Sequence, residues 1–164
     1  MNRRRALKSI GAVGSLGLAG CSFPLGPGGV VLGRITVINP SFTPSTIRLA
    51  VEADETLLDR RISLSAIDAE DGRAWTTIAP TWSEERPQYS VWALYLDEDG
   101  ERASTSWEYT FTRQDYNTYY EDEVADPGCI GAMVKVGDSS DSEYAPIEIS
   151  PTRMEDPCEA SASE

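Results

Sequence analysis

The chain has 164 residues, with 27 Asp and Glu against 14 Lys and Arg and no histidine, which gives a formal net charge of −13. Such acidity argues against nucleic acid and anionic lipid headgroups as partners, because Coulomb repulsion opposes both. The missing histidine excludes a Ser-His-Asp triad, a Cys-His pair and a His-ligated metal.

Residues 3–21, RRRALKSIGAVGSLGLAGC, read as an export signal. Arg3, Arg4, Arg5 and Lys8 form a positive region, and residues 10–20 form a short, glycine-rich apolar stretch. Arg3 and Arg4, followed by Arg5, Ala6, Leu7 and Lys8, match the twin-arginine pattern, with Ala6 where a bulky aromatic is usual. Leu18-Ala19-Gly20-Cys21 matches a lipobox, in which small residues fit the signal peptidase and the Cys21 thiol takes up lipid. A stretch of about 11 residues rises only about 17 Å as a helix, well short of a hydrocarbon core of about 30 Å, so a cleaved signal is favoured over a membrane span. The expected organisation is a signal peptide over 1–20, a lipidated cysteine and Pro/Gly tether over 21–29, a domain over 30–150, and a polar tail over 151–164. The eight residues 22–29 reach at most about 28 Å, which keeps the domain close to its membrane. The expected location is therefore the outer face of the cell membrane, with membrane lipid as the partner of Cys21. Four of the fourteen basic residues precede Cys21 and no acid does, so a chain starting there carries ten basic and 27 acidic residues, a net charge of −17.

Beyond residue 30 the apolar period is two. Val31, Gly33, Ile35 and Val37 alternate with Leu32, Arg34 and Thr36, and Asn39-Pro40 ends the strand. Ile47, Leu49, Val51 and Ala53 oppose Thr46, Arg48 and Glu52, which predicts a half-buried strand. Ile62 and Leu64 point inward from a third strand. Asp71-Gly72 signals a hairpin back through residues 75–78. Residues 88–96 are apolar on both faces, which predicts a central strand, with Trp92 assigned to the core. Asp99-Gly100 turns the chain into residues 104–112, where Trp107 is assigned to the core. Ile130, Ala132, Val134 and Val136 make a further strand, and Ile147 and Ile149 a last one, closed by Pro151. Residues 118–124 have room for one helical turn, and no long helix is expected. The predicted fold is all-β: an antiparallel, immunoglobulin-like β-sandwich of seven or eight strands.

In an exported chain Cys129 and Cys158 are a disulfide candidate, since Cys21 is used by lipid. Signal, lipobox, acidic composition and a β-rich domain with a late cysteine pair together resemble the small lipoproteins of halophilic archaea, many of which have immunoglobulin-like domains. The resemblance implies a salt-adapted surface and carries no activity with it.

No motif identifies an activity, and neither an enzyme nor a cofactor is expected. Three acidic clusters are weak cation candidates: Asp97-Glu98-Asp99-Gly100-Glu101; Glu121, Asp122 and Glu123 with Asp126; and Asp138, Asp141 and Glu143. None matches a twelve-residue calcium loop. Trp75, Trp82, Tyr119 and Tyr120 lie near predicted turns, where a flat ring is free to meet a ligand, and Trp82, Tyr119 and Tyr120 are the weak ligand-binding candidates. The favoured expectation is a membrane-anchored surface module that binds an envelope protein or glycan. The alternative is a carboxylate- or cation-dependent hydrolase on the same scaffold, for which two carboxylates about 5–10 Å apart in a concave site are required.

Overall fold

A strand with one apolar face gains stability only by stacking that face on another, and this chain builds two sheets to do so. The structure, a computed structural model, describes residues 29–70, 72–82, 87–97, 99–101, 106–120, 126–137 and 147–159. Among them the strands are β1 (Val31–Ile38), β2 (Ser45–Glu52), β3 (Thr56–Leu64), β4 (Trp75–Ile78), β5 (Ser90–Tyr95), β6 (Trp107–Thr110), β7 (Cys129–Val136) and β8 (Ile147–Thr152). A helix, α1 (Arg113–Tyr120), joins β6 to β7. The first sheet has the order β4-β1-β7-β8 and the second β3-β2-β5-β6.

The eight-stranded all-β sandwich expected from the alternation is what forms. Its antiparallel pairings β1–β4, β2–β3, β2–β5 and β5–β6 match those of immunoglobulin strands B–E, C–C′, C–F and F–G. Here β1 lies between β4 and β7, and β2 lies between β3 and β5. The sheets are not wholly antiparallel, because β1 and β7 run parallel. The core lies between them, with Ile35, Val37, Ile130 and Val134 of the first sheet facing Ile47, Leu49, Val51 and Val91 of the second. Each such side chain contributes roughly 1.5–3 kcal/mol on burial.

The parity assignments in two strands, β1 and β5, need correction. In β1 the pairing with β7 slips by one residue between Leu32 and Ile35. This bulge turns Leu32 inward, fully buried, and leaves Val31 half-buried on the outside. The expected inward set therefore holds only from Ile35 onward. In β5 the inward residues are Val91 and Ala93, continuing from Tyr89, all fully buried. Trp92 is on the outer face, half-buried, its indole N–H donating to Glu52 Oε1 at 2.8 Å and the Arg48 guanidinium 5.6 Å from its ring centre. Arg48 is itself paired with Asp59 across β2 and β3. Trp107, by contrast, packs against the core as assigned.

Gly72 has the positive φ of 64° that its turn signal implied, and Asp71 lies outside the described residues. The flanking strands nevertheless do not form a hairpin, since β3 belongs to the second sheet and β4 to the first. The turn at Gly100, φ 82°, does link antiparallel neighbours, β5 and β6. Helix α1 starts five residues before the expected helical turn because Thr112 caps it. The Asp115 carboxylate accepts from Thr112 N at 2.7 Å, and Asp115 N donates back to Thr112 Oγ1 at 3.4 Å. Buried Tyr116 and Tyr120 seat the helix against the core.

The C-terminal segment is ordered well beyond Pro151, where the strand was expected to close. Strand β8 runs on to Thr152, which an edge strand allows at a proline. The chain then crosses the first sheet. Arg34 N donates to Pro157 O at 2.7 Å, and a Cβ on Gly33 would stand 2.2 Å from that oxygen. Gly131 likewise leaves room for the Met154 side chain, which a Cβ there would meet at 2.7 Å. The expected disulfide joins Cys129 to Cys158, with Cα atoms 5.6 Å apart, inside the range of such bridges. Residues 160–164 lie outside the described residues.

Candidate functional site

Several residues singled out from the sequence lie outside the described residues: Arg3, Arg4, Cys21, Glu121, Asp122 and Glu123, together with Asp138, Asp141 and Glu143. Of the second acidic cluster, Asp126 is described. Its Oδ1 accepts from Gly128 N at 2.8 Å and from the Tyr116 hydroxyl, so it closes the turn into β7. Burial raises the Tyr116 hydroxyl pKa, and the Asp126 carboxylate raises it further. Among the described residues no group of three or more Cys, Asp or Glu is placed to hold a metal ion, and no helix is long and apolar enough to cross a membrane.

The aromatic ligand candidates are structural. Trp82 is 9% exposed, and its indole N–H donates to Leu32 O at 2.6 Å. That bond serves the carbonyl next to the β1 bulge, which is why a tryptophan near a turn is buried here. Tyr120 is buried, and its hydroxyl accepts from Met154 N at 3.2 Å. Tyr119 is half-buried against the core. Trp82 and Tyr120 are thus engaged in the core, and Tyr119 keeps part of its ring exposed. Trp75, also placed near a turn, is 59% exposed.

Exposed apolar surface gathers instead at one end of the sandwich. Among the described residues the exposed large hydrophobics are Phe42 (59%), Ile67 (44%) and Trp75. Phe42 lies in the β1–β2 loop, Ile67 in the β3–β4 loop, and Trp75 opens β4 opposite Ile38, the last residue of β1. Buried Asn39 locks these loops together. Its Nδ2 donates to Thr43 O at 2.8 Å and Ser65 O at 2.9 Å, and its Oδ1 accepts from Ser41 N at 3.0 Å. Its own N–H donates to Ala74 O at 2.7 Å, and Ile67 N donates to Ser41 O at 2.9 Å. The apolar side chains are thus displayed on a braced platform. The opposite end carries the start of β1 and the Cys129–Cys158 bridge, since β1 and β7 run parallel. At about 3.3 Å per residue, β1 separates the two ends by roughly 25 Å.

A groove of about 300 Å³ opens on the outer face of the first sheet. Thr36, Thr77 and Thr152 line it, with Arg34, Arg153, Glu155, Met133 and Met154. Thr36 Oγ1 and Thr77 Oγ1 stand 3.5 Å apart across β1 and β4. Arg34 Nε is buried with no hydrogen-bond partner among the described residues. Two arginines and one glutamate are among its described lining residues. Trp75 lies on the same face, two residues along β4 from Thr77. None of this was identified in the sequence. The available signal was the outward series Arg34, Thr36 and Thr77, which marks a polar sheet face but not a groove.

The chain has no match among family models, curated proteins or solved structures.

Proposed function

We propose that this protein is a lipid-anchored, extracytoplasmic binding module that meets an envelope protein with the end of the sandwich remote from its anchor. The observation that carries the binding half is the gathering of Phe42, Ile67 and Trp75 on loops braced by Asn39. Exposed apolar side chains cost solubility, and several of them on braced loops at one end of a sandwich suit a contact surface. Export and anchoring rest on residues 3–21, with the twin-arginine run and the lipobox ending at Cys21. A tether at Cys21 leads into the start of β1, so the apolar end points away from the membrane. The Glu155 carboxylate is the only one lining the described groove, which favours binding over hydrolysis by paired carboxylates.

The test has two arms. Cys21→Ser should move the protein out of the membrane fraction, and mass spectrometry of the wild type should find lipid on Cys21. Phe42→Ser with Ile67→Ser should abolish cross-linking to the envelope protein captured from intact cells under native salt. Retention of Cys21→Ser in membranes defeats the anchor, and undiminished cross-linking defeats the proposed contact surface.

A further inference from the structure

We infer that the partner lays an extended segment along the free edge of β4, antiparallel to it, so that the first sheet gains a strand. This rests on the contact surface proposed above and names how the partner meets it. The strand orders leave four edges, β4, β8, β3 and β6. Sheet edges are commonly blunted by charge or proline. Strand β3 carries Asp59, Arg60 and Arg61, all exposed, with Arg60 opposite the inward Leu49. Strand β6 carries Glu108, and β8 carries Glu148 and Pro151. Strand β4, Trp75-Thr76-Thr77-Ile78, has neither charge nor proline.

The register tells which backbone groups of β4 are open. Asn39 N donates to Ala74 O at 2.7 Å, so these residues form a hydrogen-bonded pair one step beyond the β1–β4 ladder. Such pairs alternate along antiparallel strands, so Thr76 bonds to Val37 and Ile78 to Ile35. The N–H and C=O groups of Trp75 and Thr77 therefore point away from β1, to the side on which no described strand lies. One rung already stands on that side, where Ser65 N donates to Arg73 O at 3.1 Å. The open ladder thus begins at Trp75, and an added strand has to leave the sheet at Ser65, over the β3–β4 loop. That loop exposes Ile67, with Asp68 and Glu70 exposed beside it. These neighbours define the segment. Along β4 it is uncharged and rich in β-branched residues, which form favourable cross-strand pairs with an aromatic ring such as the exposed Trp75. An antiparallel segment has its C-terminal end beside the start of β4, so that end carries lysine or arginine against Asp68 and Glu70. Main-chain bonds hold such a strand, and the flanking side chains select it.

Calorimetry and backbone amide exchange on the full-length protein in detergent micelles, at molar KCl, provide the test. The probe is the synthetic peptide Thr-Val-Thr-Val-Thr-Lys-Lys, capped at both ends. Its controls are a copy with the Thr and Val amides N-methylated, which cannot complete a ladder, and a copy ending in Glu-Glu. The probe should bind saturably, at least tenfold more tightly than the methylated copy and at least threefold more tightly than the acidic one. Binding should slow exchange at the Trp75 and Thr77 amides at least tenfold, while those of Thr76 and Ile78, already bonded to β1, stay as they are. Thr77→Pro removes an outward N–H and no bond to β1, a change that edge strands tolerate, and should weaken binding at least tenfold. Thr77→Val keeps that N–H and should bind within twofold of the wild type. The inference is overturned if the probe does not bind, if either control peptide binds as tightly, or if Thr77→Pro, verified as folded by circular dichroism, binds as the wild type does. The contact surface is judged separately, by cross-linking of Phe42→Ser with Ile67→Ser in intact cells. Loss of cross-linking there with no peptide binding here removes the added strand and leaves the surface standing.

Discussion

Asn39 shows how much one polar side chain organises. It is fully buried, and its amide satisfies the carbonyls of two loops, at Thr43 and Ser65. Asn39→Ala strands Thr43 O and Ser65 O without donors and should cost about 2–4 kcal/mol, read as a lower denaturation midpoint at molar KCl. Phe42 and Ile67 should then lose their fixed spacing before the core opens. In the sequence, Asn39-Pro40 marks the end of a strand, because local rules report turns and not the distant carbonyl at Ser65. Tyr109 supplies a pH effect. Its hydroxyl is pushed up to about 12, first by burial and then by donation to Asp115 Oδ1, 2.7 Å away. An unfolded tyrosine ionises near pH 10, so between about pH 10 and 12 the folded state holds the extra proton. Stability is therefore fully present below about pH 10 and lost as pH rises through about 12. Unfolding free energies measured across that window should fall, and Tyr109→Phe should flatten the decline. Tyr116 is shifted in the same direction, so a residual slope should remain.

At the scale of elements, the C-terminal segment is the clearest case of structure that alternation does not reveal. Its order comes from a backbone carbonyl at Pro157, the missing Cβ of Gly33, the space above Gly131 and a disulfide. None of these produces a hydrophobic period, and only the cysteine pair was readable. The β1 bulge is linked to the same contact, since the N–H of Arg34 inside it donates to Pro157 O. A one-residue slip reverses every face that precedes it, which is why Leu32 and Val31 exchanged places. Trp92 was misassigned for a related reason. With both faces of β5 apolar, parity has no polar mark, and the partners of the outer ring, Arg48 and Glu52, lie on another strand. The helix cap was visible in principle as Thr112-x-x-Asp115, but the alternation of the preceding strand ran straight into it. The bridge closes a loop with a sequence separation of 29, for which the loop-entropy relation gives roughly 3.5 kcal/mol. Cys158→Ser should lower stability by up to that amount while the sandwich stays folded. Hydrogen exchange should show residues 153–159 and the start of β1 losing protection first. Equal protection in both proteins means that the Pro157 contact alone holds the segment.

For the whole molecule, the two sheets separate three features in space. One end gathers the start of β1, the helix and the disulfide, the other carries the apolar loops, and the groove lies on the face between them. The strand content was readable because each strand carries its own alternation, whereas the strand order depends on which edges meet after folding. The parallel contact of β1 with β7 joins strands almost a hundred residues apart, and no local signal encodes it. Charge acts at this scale as well. With a formal net charge of −13, or −17 for a chain starting at Cys21, the compact state carries a large self-repulsion. Among the described residues a single side-chain ion pair, Arg48 with Asp59, is formed, and it is exposed on both sides. Such an exposed pair contributes little against repulsion of this size, which salt screens. The screening length falls from about 10 Å at 0.1 M salt to about 3 Å at 1 M, shorter than most spacings between surface carboxylates. The melting temperature should therefore rise steadily between 0.1 M and molar KCl. Replacing Arg48 should shift the whole curve only slightly at every salt concentration. A melting temperature indifferent to KCl would show that the fold does not feel its net charge, and the salt-adapted reading of the surface would fail with it.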